Sequence, residues 1–130
     1  MSTCTATLVH GFPAAKLWWA HHVNHHDVKP AFEALNQLIN ESPVPMYVLV
    51  DLSQQPDLPV IETIHNALSG PFRNPRLVEW LVVGSSSLAK IIGRSLSTLS
   101  FRNNIKWFES EAAALTYLER VNAMRQQQDA

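Results

Sequence analysis

Four histidines in one short stretch of the chain are the first residues that could do chemistry. They are His21, His22, His25 and His26. Imidazole is a favoured zinc ligand, and a helix places residues three or four apart on one face. A helical segment would align His21 with His25 and His22 with His26, whereas a strand would turn adjacent histidines to opposite faces. The sequence leaves open a metal site or a surface loop whose charge changes near neutral pH.

A second group of polar residues follows three apolar segments, at the points where those segments end. The candidate ligand or partner contacts are Asp51, Ser53, Asp57, Ser85, Ser86, Ser87 and Glu109. Free N–H groups at a helix start, together with serine hydroxyls, can hold an anion. Serine and aspartate are also the ordinary helix caps, which is the simpler interpretation. The chain contains no glycine-rich phosphate loop with a lysine.

Residues suited to covalent or acid–base catalysis are present, but no motif brings them together. The one cysteine, Cys4, lies in an N-terminal segment that we expect to be mobile, and nothing places a histidine beside it. A serine–histidine–aspartate triad is defined by geometry, which no spacing in this chain specifies. We therefore expect no catalytic site and no cofactor.

The elements that must position these groups alternate between strands and helices. We predict strands over residues 5–12, 16–23, 46–50, 77–83 and 105–108, with helices that begin near Asp27, Pro59, the serines 85–87 and Ser110. The continuous apolar runs MYVLV and LVEWLVV are typical of parallel strands covered on both faces. The pattern predicts an α/β fold with a mixed, mostly parallel sheet of four to five strands, flanked by about four helices.

The predicted strand directions place the second polar group at one edge of the sheet. The carboxyl ends of parallel strands lie at the same edge, and ligands favour that edge. Asp51, Ser85 and Glu109 each follow a different strand. We therefore expect them to share a binding rim at the carboxyl edge.

Length and composition favour one domain over residues 1–130, with a core of about 5–122 and a frayed polar tail at 125–130. The formal net charge of −1 gives no broad basic surface, so we expect no nucleic-acid partner. No apolar run approaches the roughly 18–20 residues that span a bilayer, so we expect no membrane span. A single cysteine excludes an intrachain disulfide and fits a cytoplasmic location.

Four tryptophans are many for this length, and they are Trp18, Trp19, Trp80 and Trp107. Core packing is the leading interpretation, because they fall among apolar strand residues. Adjacent Trp18 and Trp19 must face opposite sides of a strand. One of them could then line a pocket or an exposed patch.

Several segments together resemble the SpoIIAA-like branch of the STAS domains. The segments are MYVLVDLS, LVEWLVVGSSSLAK and IKWFESEAAALTYL. The shared features are a strand ending in Asp51-Leu52, another ending in Val83-Gly84, and Phe108 before an alanine-rich helix over residues 112–118. The resemblance covers about residues 5–122. It implies a sheet flanked by helices and a role in binding and regulation, not catalysis.

Members of the family that this chain resembles include anti-sigma-factor antagonists, and the fold echoes the CRAL-TRIO lipid carriers. In the antagonists a phosphorylated serine begins the second helix. The corresponding stretch here is Asp57-Leu58-Pro59-Val60, which has no hydroxyl, and the nearest serine is Ser53. This departure argues against the phosphorylation switch.

Three hypotheses follow. The first is a non-enzymatic regulatory module that binds a protein partner or itself through the carboxyl edge and the second and third helices. The second is a carrier or sensor of a small apolar, lipid-like ligand, with a pocket between helices and sheet. The third is a metal-binding protein that uses the histidine cluster.

Overall fold

The computed structural model describes residues 2–84 and 86–128. Within those residues strands and helices alternate after an opening pair of strands, as predicted. The strands are β1 (Cys4–Leu8), β2 (Ala14–Trp19), β3 (Met46–Asp51), β4 (Leu77–Val83) and β5 (Ile105–Phe108). The helices are α1 (His25–Glu41), α2 (Val60–Leu68), α3 (Ser87–Ser100) and α4 (Glu111–Gln128), with a short 3₁₀ helix at Pro71–Arg73.

The five strands form one sheet whose spatial order, β1-β2-β3-β4-β5, is the order of the chain. β1 pairs with β2 in the antiparallel sense, and the other three pairings are parallel. The predicted mixed, mostly parallel α/β sheet is therefore confirmed. Its carboxyl edge gathers the ends of β3, β4 and β5.

The sequential strand order explains why three helices share one face of the sheet. Crossovers between parallel strands are right-handed, so connections that all step in the same direction lie on the same side. Residues of α1, α2 and α3 accordingly join one apolar core with the strands, including Leu35, Ala67 and Ile92. We call this side the three-helix face.

Helix α4 follows the last strand and covers the opposite side of the sheet, which we call the α4 face. Its buried residues Ala114 and Leu118 pack with Leu49 and Leu81, which alternate along β3 and β4 with residues of the other face. Ser110 begins this helix as predicted, because its Oγ accepts a hydrogen bond from the N–H of Ala113.

Several predicted boundaries were wrong. The strands β1 and β2 end at Leu8 and Trp19 instead of Phe12 and Val23. The chain leaves the sheet after Trp19, because the N–H of Asp57 donates to the carbonyl of His21 and the N–H of Val23 donates to the carboxylate of Asp57.

The start of α1 and both chain ends also differ from the prediction. Asn24, not Asp27, caps α1 through its side chain, and the Asp27 carboxylate instead accepts hydrogen bonds from Thr3. Cys4, expected in a mobile segment, is a buried residue of β1. The tail expected to fray from residue 125 is helical through Gln128.

Candidate functional site

A cleft opens at the carboxyl edge of the sheet, where β3, β4 and β5 end. It has a volume of about 430 Å³ and we call it the rim cleft; its lining residues are Asp51, Leu52, Ser53, Gln55, Val83, Gly84, Glu109, Ser110 and Glu111. The predicted residues Asp51, Ser53 and Glu109 are thus brought together. Gly84 is required between them, because its φ of 104° is left-handed and an added Cβ would lie 3.2 Å from the Leu52 carbonyl oxygen.

A buried carboxylate and a lysine fix the charge beside the rim cleft. The Nζ of Lys16 lies 3.3 Å from Asp51 and 2.9 Å from Glu111. Burial by itself raises the pKa of Asp51, but hydrogen bonds from Ser53 and the ion pair with Lys16 outweigh it and hold that pKa below its usual value. The hydrogen bond to Glu111 in turn raises the pKa of Lys16. The three groups form an ion-pair cluster of two carboxylates and one ammonium, with a formal net charge of −1.

The remaining residues predicted for the rim that the structure describes lie outside the rim cleft. Ser86 is the N-cap of α3, since its Oγ accepts a hydrogen bond from the N–H of Ala89, and Ser87 is the exposed first residue of that helix. Neither lines the rim cleft. Ser85 lies outside the described residues. Asp57 is also absent from the cleft lining and joins the histidine segment instead.

Three of the four histidines contact either the loop after β3 or the first turn of α2. The Nδ1 of His21 lies 2.9 Å from the carbonyl oxygen of Gln55, and the Nδ1 of His22 lies 3.1 Å from Asp57. His25, the first residue of α1, pairs in the same way with Glu62 of α2 at 3.1 Å. These contacts connect the N-terminal end of α1 to the N-terminal end of α2.

The histidine segment is neither a strand nor a full helical turn, so neither predicted pairing of histidines forms. His21 and His22 precede α1, whereas His25 and His26 begin it. Over residues 2–84 and 86–128, no group of three or more His, Cys, Asp or Glu side chains is placed to hold a metal ion. In this structure His21, His22 and His25 instead connect the start of α1 to the loop after β3 and to α2.

An exposed apolar patch lies on α2 and α3 next to the carboxyl edge. We call it the outer apolar patch and define it by Ile61, Leu88 and Ile91, which are 80%, 43% and 51% exposed. Leu88 and Ile91 are three residues apart on α3 and so share one face. The two helices pack against each other, and Ile61 and Leu88 each lie in the first turn of their helix.

A cavity lies beneath the same two helices, on the three-helix face of the sheet. Its volume is about 70 Å³, and we call it the helix-side cavity. Aromatic rings form much of its wall: Trp19 contacts Phe32 edge to face, and Phe72 stacks on Trp80 at 5.7 Å. Thr63 and Ala67 of α2 and Ile92 of α3 complete the side next to the helices.

Sequence reasoning did not identify the residues of this cavity individually. The prediction that Trp18 and Trp19 face opposite sides is confirmed by their strand register, and Trp19 is the one that lines the cavity. Thr63 was missed, although a signal existed. It is a polar residue four positions before Ala67 on the buried side of α2, where an apolar residue would be the ordinary choice.

Two further observations bear on what the chain is. Among the residues that the structure describes, no helix combines the length and apolar character needed to cross a membrane. In comparisons with known proteins, no family model, no curated protein and no solved structure matches this chain.

Proposed function

We propose that this chain is a non-enzymatic, STAS-like regulatory module that binds a protein partner or a second copy of itself. The outer apolar patch is the observation that carries the proposal. Clustered apolar side chains exposed to water are typical of protein contact sites, whereas single exposed ones are ordinary. Here three large aliphatic side chains are exposed on two helices that pack against each other.

The position of the patch follows from the orientation of each helix. Glu62 faces α1 through His25, and Thr63 faces the sheet, so Ile61 is left on the outer surface toward α3. On α3, Gly93 faces Trp107 of β5. Leu88 lies five residues earlier, about 140° around the helix, and is exposed. The patch is therefore formed by exposed residues of two adjacent helices.

The Cys4 thiol is buried and the Asp51 carboxylate is ion-paired, and both observations support a binding role. Burial raises the pKa of the Cys4 thiol to about 12, so it carries no thiolate at neutral pH. The Asp51 carboxylate is neutralised by Lys16. The resemblance of MYVLVDLS and its neighbouring segments to STAS domains supports the same proposal, and the lack of a hydroxyl in residues 57–60 argues against a phosphorylation switch in that loop. The proposal includes a cytoplasmic location, which an unpaired buried cysteine supports.

Site-specific photo-crosslinking tests the contact. A benzophenone amino acid at position 61 is expected to give a defined adduct in cells that express the protein naturally, and Ile91→Asp in the same chain should abolish it. An adduct of twice 14.6 kDa identifies a second copy, and any other mass identifies a different partner.

Met124 provides the matched control, because it is 54% exposed but lies on α4, on the other side of the sheet. The crosslinker at position 124 should give no such adduct. The proposal is wrong if positions 61 and 124 give the same products, or if Ile91→Asp leaves the adduct at position 61 unchanged.

A further inference from the structure

We propose that the outer edge of β5 binds an extended, acidic peptide segment of another protein, which adds to the five-stranded sheet as a further strand. The site is a groove between β5 and α3, which we call the edge groove. The inference goes beyond the proposed function, because none of the residues that define the outer apolar patch lines this groove.

The backbone of β5 has hydrogen-bonding groups on a side that no other strand covers. β5 is the last strand in the sheet order, so it has a neighbour on one side only. The carbonyl oxygens of Asn104 and Phe108 accept hydrogen bonds from the chain of β4 and the residue after it. Since a strand has a period of two, the N–H and C=O groups of Ile105 and Trp107 face the other way. Such an edge is a template for pairing with another chain.

The edge groove lies beside these outward groups and has a volume of about 560 Å³. The side chains of Ile105 and Trp107 line it, and the Trp107 ring is 39% exposed. Gly93 of α3 leaves room for this ring, because a Cβ at that position would lie only 3.1 Å from Cζ2 of Trp107. A peptide strand that pairs with β5 would therefore place every second side chain in the edge groove, next to the indole.

Two cations of α3, Lys90 and Arg94, line the edge groove. Both are exposed, and neither forms an ion pair within residues 2–84 and 86–128. None of the described residues that line the groove is acidic. The two cations are separated by about 6 Å along the helix axis, close to the roughly 6.7 Å between alternate residues of a strand. Acidic side chains at alternate positions of a peptide therefore complement both cations.

A second copy of this chain is the less favourable occupant of the edge. Antiparallel pairing of two β5 strands, with Ile105 of one copy opposite Trp107 of the other, would place the two Lys106 side chains directly opposite each other. Like charges in that position destabilise a strand pair, and lysine on an edge strand is a common means of preventing self-association. The observations therefore favour an acidic segment of a different protein, bound by strand addition.

Fluorescence anisotropy with short synthetic peptides tests the inference. The probe is a hexapeptide of alternating glutamate and valine, capped at both ends and labelled with a neutral dye. It should bind saturably, and a peptide with lysine in place of glutamate should bind about tenfold more weakly or less.

Two methylated forms of the probe test the backbone pairing. One carries methyl groups on the glutamate nitrogens and the other on the valine nitrogens. Alternate N–H groups of a strand face the same side, so only one of the two forms should lose binding. The form that still binds is the matched control for the other.

Charge-reversed proteins test the role of the two cations. Lys90→Glu combined with Arg94→Glu should weaken binding of the glutamate probe about tenfold, the effect of two exposed ion pairs. Lys29→Glu combined with Arg73→Glu makes the same change in charge at exposed residues outside the groove, and should bind like the wild type. Ile61→Asp disrupts the outer apolar patch and should leave peptide binding unchanged, which separates this inference from the proposed function.

The inference is overturned if the glutamate probe shows no saturable binding, if the two methylated probes bind alike, or if the two charge-reversed proteins bind alike. Self-association of the protein that the probe abolishes would assign the edge to a second copy, and would overturn it as well.

Discussion

The two faces of the sheet differ in whether their polar side chains have hydrogen-bond or ion-pair partners. On the α4 face, Lys16 pairs with Asp51 and Glu111, and Tyr117 donates a hydrogen bond to Glu79. On the three-helix face, the polar atoms of Trp19, Thr63 and Trp80 lack partners around an apolar cavity. The buried carboxylate of the α4 face is paired within the chain, whereas these three polar atoms of the three-helix face are not. The helices of the three-helix face also carry the outer apolar patch.

The largest expected effect on stability comes from the aromatic wall of the cavity. Phe72 is fully buried and stacks on Trp80, so Phe72→Ala should lower the free energy of unfolding by about 3–5 kcal/mol. Phe101 is 96% exposed at the end of α3, and Phe101→Ala should change it by less than about 0.5 kcal/mol. Urea denaturation measures both. Similar losses for the two variants would contradict the placement of Phe72.

The ion pair on the α4 face should give the next largest effect. Asp51→Asn removes the buried partner of Lys16 and is expected to cost about 1–3 kcal/mol at neutral pH. Glu109→Gln changes an exposed residue of the same rim cleft and should stay within about 0.5 kcal/mol. Thermal and urea unfolding of the two variants check this difference. Equal stability of Asp51→Asn and the wild type would show that the pair contributes nothing.

Acid should destabilise the fold through three carboxylates, of which Asp51 is one. Burial raises the pKa of Asp51, but Ser53 and Lys16 outweigh it and lower that pKa on folding. A hydrogen bond from the backbone N–H of Thr3 lowers the pKa of Asp27, and one from the backbone N–H of Val23 lowers the pKa of Asp57. A lowered carboxyl pKa contributes stability that is present above the unfolded value of about 4 and is lost as pH falls through the folded value.

In measurements between pH 5 and pH 2.5, the urea concentration at the unfolding midpoint should therefore decrease once the pH is below about 4. The decrease should be smaller for Asp51→Asn than for the wild type. The raised pKa of Lys16 acts at the other end of the scale. Its contribution is complete below the unfolded lysine value of about 10.4 and is lost as pH rises through the folded value. A wild-type midpoint that stays constant down to pH 2.5 would contradict this account.

The smallest expected change in stability is opposite in sign to the loss predicted for Asp51→Asn. Thr63→Val deletes an unpartnered buried hydroxyl, so it should leave stability unchanged or raise it by about 1 kcal/mol. Thr98→Val, on the exposed side of α3, is the control and should remain within about 0.5 kcal/mol. A clear loss of stability in Thr63→Val would mean that its hydroxyl has a partner in the folded protein.

Much of the fold could be predicted because its signals are local. The strand at residues 77–83 and the strand at 105–108 are confirmed at both boundaries, since apolar β-branched runs and flanking turn residues specify them. The end of β2 could not be predicted in the same way. It depends on hydrogen bonds that His21 and Val23 form with Asp57, which is far from both in sequence.

The candidate site was predictable only in outline. Parallel strands bring Asp51 and Glu109 to one edge, and that follows from topology alone. The pairing of Lys16 with Asp51 depends on β2 lying beside β3, an order that the sequence does not specify. The helix-side cavity depends on how Trp19, Trp80 and Thr63 pack in three dimensions, so no spacing in the chain encodes it.

Xenon binding followed by methyl NMR tests the contrast between the two faces most directly, since xenon enters apolar cavities of this kind. We predict saturable shifts of the methyl groups of Val50, Val82 and Ile92, which line the helix-side cavity. The methyl groups of Leu49, Val83 and Leu118 on the α4 face should not respond. Equal shifts on both faces, or none on the three-helix face, would contradict the account.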